Sequence, residues 1–144
     1  MIADIQGLTE EFVSAISKID FTQYNYYMNF RNFPRGCCGD TCDLLQYFLF
    51  QKGILTTYIA KHRIGKQGTH AWLEYEDYII DPTIGQFPTY IGVKYEVTNN
   101  KSWHDKNFGV NIAVRTLTYK DEFNSMSIIR LDSLYKIILE QMNR

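Results

Sequence analysis

At 144 residues, with 45% hydrophobic and 22% charged side chains, the chain has the composition of one folded domain and not of a disordered segment. A formal net charge of −1 argues against electrostatic binding of nucleic acid or of an anionic membrane surface. The opening stretch MIADIQGLTEEF lacks the features of a secretory leader. No segment approaches the ~20 apolar residues of a membrane span.

The expected elements, in chain order, begin with a helix over residues 8–19, through Leu8, Phe12, Ala15, Ile16 and Ile19, with Thr9 as its cap. Residues 21–35 are aromatic and Asn-rich, and Pro34 is expected to close them in an extended conformation. Residues 38–52 fit an amphipathic helix ended by Gly53. Its apolar stripe runs through Cys42, Leu44, Leu45, Phe48 and Leu49, leaving Asp40, Asp43, Gln46, Tyr47 and Gln51 on the other side. A strand follows at 54–60, then a loop at 61–69. Residues 70–76 and 78–81 read as a hairpin ended by Pro82. Further strands are expected at 91–97 and 109–118, and a final helix at 132–142 capped by Asp132. A helix followed by consecutive strands predicts a single α+β domain over 1–144. In it, an antiparallel sheet packs against an N-terminal helical part.

The three cysteines all lie in RGCCGDTC, residues 35–42. Two of them are adjacent, which makes a poor disulfide framework and points to a reducing, cytoplasmic compartment. Structural zinc wants four ligands, usually in spaced pairs. Cys38 and Cys42 offer one pair, and His62, His70 and His104 supply no second, so no metal or cofactor is expected. Cys42, inside the helix on its apolar stripe, suits packing, and Cys37 a passive role. Cys38 differs: it falls in the first helical turn, where unpaired N–H groups and the positive end of the helix dipole favour a thiolate and a developing oxyanion.

A thiol nucleophile needs a base, and the base an orienting group. HAWLEYEDYIIDPT, residues 70–83, offers both, with His70 opening one hairpin arm and Asp81 closing the other. A two-residue turn at Glu76-Asp77 pairs Trp72 with Asp81 and sets His70 and Asp81 diagonally on one face, within hydrogen-bonding reach. A turn at Tyr75-Glu76 would put them directly opposite instead, and a one- or three-residue loop puts them on opposite faces. Trp72 is expected to pack beneath this pair. Arg35, Lys61, Arg63 and Lys66 read as a solvated basic set; Trp103 and His104 invite a site reading, with a surface turn or a core Trp as the default.

These residues resemble the transglutaminase-like branch of the papain-like cysteine enzymes. The pieces are Gly36, Cys38, Asp40 and Cys42, then Gly53, then His70-Ala71-Trp72-Leu73-Glu74, then Asp81-Pro82-Thr83. The likeness covers roughly 34–83. It implies a papain-like core whose nucleophile helix carries Cys38, with His70 as base and Asp81 orienting it. Cys42 stands where that family usually has Ala or Ser. The implied activity is acyl transfer through a thioester on a protein or peptide amide or isopeptide, as peptidase, deamidase or transglutaminase. Gln23, Asn25, Asn29 and Asn32 are candidates by type for a second oxyanion donor. Arylamine N-acetyltransferases carry a related set after an Arg-Gly pair, but are usually built with a third domain. Two other classes compete: a non-catalytic binding module of the same fold, and a redox or metal sensor using Cys37, Cys38 and Cys42.

Overall fold

The computed structural model describes residues 1–144. Helix α1 (Ile2–Lys18) begins six residues earlier than the apolar period alone suggests, because Ile2 and Ile5 extend the apolar stripe towards the N-terminus. Thr9 is therefore not a cap but a buried residue inside the helix. The aromatic segment folds as two short 3-10 turns, Phe21–Gln23 and Met28–Phe30. Hydrogen-bonded turns, not an extended strand, carry the chain past Pro34, with Phe33 N–H donating to Phe30 O and Arg35 N–H to Asn32 O.

Helix α2 (Cys38–Gln51) ends at Gly53, whose φ of +82° is the left-handed conformation glycine adopts without strain. The helix is buried almost all round. Asp43 and Gln46, expected on a polar face, are both inside. Asp43 accepts from Arg115 Nη2 at 2.9 Å. Gln46 Nε2 donates to the carbonyls of Thr56 and Arg115 at 3.2 and 3.3 Å. Burial pushes the Asp43 carboxyl up to about 6 against the pull of Arg115.

Five antiparallel strands follow: β1 (Thr57–Arg63), β2 (Thr69–Tyr75), β3 (Tyr78–Asp81), β4 (Glu96–Thr98) and β5 (Phe108–Arg115). Their order in the sheet is β4-β3-β2-β1-β5. The first strand sits three residues later than expected. Most of 91–97 is not strand, and only its last residues join the sheet. Two helices were not foreseen: α3 (Ser102–Asn107) and α4 (Tyr119–Glu122). Helix α5 (Ser125–Met142) starts earlier than expected, with Asn124 Oδ1 accepting from Ser127 N–H at 3.0 Å. Asp132 lies inside it and accepts from Tyr119 Oη and Lys120 Nζ at 2.7 and 2.9 Å.

Strand alternation divides the apolar residues between two cores. Tyr58, Ala60, Ala71, Leu73 and Ile80 face α2 and, beyond it, α1 and α5. Ile59, Trp72 and Ile79 face the other way, onto Ile84, Phe87 and Phe108. The result is α+β with an antiparallel sheet against helices. No helix is long and apolar enough to cross a membrane.

Candidate functional site

Cys38 is the first residue of α2 and is half-buried, whereas Cys37 before it and Cys42 one turn on are buried. No side chain caps the start of α2. The first main-chain bond there is Thr41 N–H to Cys37 O at 2.9 Å, so the N–H groups of Cys38, Gly39 and Asp40 precede the helical ladder. Gly36, at φ +78°, makes the left-handed turn that delivers the chain to this helix. Burial pushes the Cys37 thiol up to about 12, and it raises the Cys42 thiol well above its ordinary value. All three cysteines are free thiols.

The hairpin turns at Glu76-Asp77, with Tyr75 opposite Tyr78, Glu74 opposite Ile79 and Leu73 opposite Ile80. Glu76 takes a φ of +51° in that turn. The same register sets Asp81 beside Trp72 and diagonal to His70, all three on one face. His70 Nε2 lies 2.7 Å from Asp81 Oδ2, with both side chains wholly buried. Cys38, at the start of α2, is near enough to favour the charged form of the same imidazole. Burial opposes charging the ring, but the Asp81 charge and hydrogen bond and the contact with Cys38 outweigh it, lifting His70 to about 9. Asp81 is held down at about 2 despite its burial, by His70 and His104. Because Nε2 is engaged with the carboxylate, Nδ1 is the ring nitrogen left to take a proton.

Two further residues enter the site. Gln86 Nε2 lies 3.5 Å from His70 Nδ1 and donates to Thr83 O and Oγ1 at 3.2 and 3.1 Å. His104, expected in a surface turn or an aromatic core, is buried with its Nε2 2.8 Å from the same Asp81 oxygen that His70 meets. The Trp103-His104 pair invites a site reading in the sequence, but nothing local ties His104 to Asp81, since α3 returns to Asp81 only through the tertiary fold. Gln86 stands five residues past Asp81, and only the 3-10 turn Ile84–Gln86 aims it back.

Trp72 packs against His70 and His104 at ring-centroid distances of 5.7 and 4.9 Å, so packing is its role, as expected. Lys61 and Arg63 lie over the rings of Trp72 and Phe87 and are not merely solvated. Among the amide candidates, Asn29 donates to Asp40 at the first turn of α2 (3.0 Å), and Asn32 lines a groove with Arg35 and Gly36. Gln23 lines a separate cavity beside Lys18 and Arg144.

His70, Asp81 and His104 carry ligating atoms that all lie within 4.8 Å of one another, a set of types that can hold a divalent ion. Here both Nε2 atoms point at one carboxylate oxygen in hydrogen-bonding geometry. Comparison with family models, curated proteins and solved structures returned no match.

Proposed function

We propose that the protein is a cysteine-dependent acyl-transfer enzyme of transglutaminase-like type, with Cys38 as nucleophile, His70 as base and Asp81 orienting the ring. One observation carries this reading: a wholly buried imidazole is bonded to a buried carboxylate at 2.7 Å, and the Cys38 thiol that opens α2 is near enough to favour the charged form of the same ring. A buried His–Asp pair is costly as mere packing, since each group must be desolvated. A thiol within its reach supplies a reason to keep it.

In the proposed reaction the Cys38 proton passes to His70 Nδ1, giving a thiolate–imidazolium pair beside ionised Asp81. The thiolate attacks an amide carbonyl carbon. The carbonyl electrons move onto oxygen, received by the Cys38 backbone N–H at the helix start. As the tetrahedral species collapses, the C–N bond breaks and His70 returns its proton to the departing amine, leaving a thioester. Water, an amine or a thiol then attacks that thioester, giving its proton to His70, and Cys38 is released. The acceptor sets whether the outcome is hydrolysis or cross-linking.

The test is labelling with electrophilic glutamine and peptide probes, read by peptide mapping. The expected adduct is on Cys38 and is lost in Cys38→Ala and His70→Ala. An adduct confined to Cys37 or Cys42, or one insensitive to His70→Ala, rejects the proposal.

A further inference from the structure

A carboxylate with no access to water must fill its lone pairs with protein donors. Asp81 does this with three groups. Thr83 N–H donates to Oδ1 at 3.2 Å, and His70 and His104 both approach Oδ2, at 2.7 and 2.8 Å. His104 contributes in one way only. Its Nδ1 is buried and has no partner, so a proton there would be unsatisfied, and the N–H belongs on Nε2, facing Asp81. The ring is also held in place, with Trp72 and Trp103 at centroid distances of 4.9 and 5.0 Å and Phe108 at 6.2 Å.

On the reading that Cys38 is a nucleophile served by His70, we propose that His104 is a positioning residue: a second imidazole that donates to Asp81 Oδ2 and fixes the carboxylate that fixes His70. A carboxylate held through one oxygen can still turn about its Cβ–Cγ bond. One held at Oδ1 by a backbone N–H and at Oδ2 by two rings cannot. The line of contact then runs from Cys38 through His70 and Asp81 to His104, four groups drawn from α2, β2, β3 and α3. His104 touches no reacting atom. It acts through the direction of the hydrogen bond at His70 Nε2, and hence through where Nδ1 faces.

The experiment uses iodoacetamide, in which the Cys38 sulfur displaces iodide, so no natural substrate is required. The rate on Cys38 is followed by peptide mapping from pH 5 to 9 in wild type, His70→Ala, His104→Phe and His104→Gln, with folding checked by circular dichroism. Phe keeps a packed ring without the donor; Gln keeps a donor near the Nε2 position. His104→Phe is expected to slow alkylation near pH 6 by about tenfold, the equivalent of one pKa unit in thiolate population. His104→Gln is expected to stay within about threefold of wild type, roughly half such a unit. Equal rates in wild type and His104→Phe, with His70→Ala slowed, overturn the role of His104 while leaving Cys38 and His70 standing. A wild-type rate insensitive to His70→Ala overturns the nucleophile reading itself. Should His104→Phe fail to fold, nitrogen-15 NMR of the wild-type imidazoles decides: a proton on His104 Nε2 is expected, and one on Nδ1 overturns the proposal.

Discussion

Asp81 does not stand opposite His70 across the hairpin; it stands opposite Trp72, and it meets His70 on the diagonal. The two-residue turn at Glu76-Asp77 produces that offset, and one residue more or less would send Asp81 through the sheet to the α2 side. Removing the carboxylate without changing its size tests what the offset achieves. In Asp81→Asn the new amide can donate to His70 Nε2, moving the ring proton to Nδ1, where it blocks proton uptake from Cys38. Probe labelling of Cys38 is expected to fall by roughly 10²–10⁴-fold with the fold retained. A rate within a few-fold of wild type would remove Asp81 from the proposed machinery.

The same pair sets a pH dependence of stability. The folded His70 value, about 9, lies above the ordinary 6.5, so its contribution is complete below pH 6.5 and is lost as pH rises through 9. The folded Asp81 value, about 2, lies below 3.8, so its contribution is present above pH 3.8 and is lost as pH falls through 2. Together they give a window between about pH 4 and 6.5, where the pair is worth on the order of a few kcal/mol. Urea unfolding of wild type and Asp81→Asn should show the widest gap near pH 5 and a narrower one at pH 9.5. A constant gap would mean that the pair's ionisation is not linked to folding.

The cysteines should separate by reactivity. Cys37 and Cys42 are buried and their thiols are pushed up by that burial, while Cys38 is half-exposed at a helix start. Limiting iodoacetamide at pH 7 should modify Cys38 first, as read by mass spectrometry of the separated peptides. Cys37 or Cys42 reacting first would contradict this order. The same separation bears on the sensor alternative, which would need buried Cys37 or Cys42 to act.

Gly85 has no room for a side chain. A Cβ there would run into the Val93 carbonyl oxygen, a backbone atom that cannot step aside cheaply. Gly85→Ala should cost roughly 1–3 kcal/mol by overpacking. Because Gln86 follows directly and approaches His70, probe labelling per folded molecule should fall as well. Unchanged thermal stability would show that the 91–93 segment moves freely.

Much of this molecule was legible in local pattern. The Cys38 helix, its glycine stop, the hairpin and its turn, and the burial of Cys42 follow from periodicity, glycine conformation and strand parity, all of which act over a few residues. The later chain was less legible because its elements are decided by what they meet. Residues 91–97 have strand-forming side chains, but only Glu96–Thr98 find a partner, along β3. Asp132 looks like a cap, yet it sits within α5, where Tyr119 and Lys120 use its carboxylate. His104 and Gln86 reach Asp81 and His70 only once α3 and the turn after β3 fold back over the sheet. What the residue order determined alone is therefore where a thiol, an imidazole and a carboxylate stand on their own elements. Tertiary structure decided that one buried carboxylate oxygen is shared by two histidines, because a desolvated charge collects whatever donors packing brings near it, however far away in the chain they lie.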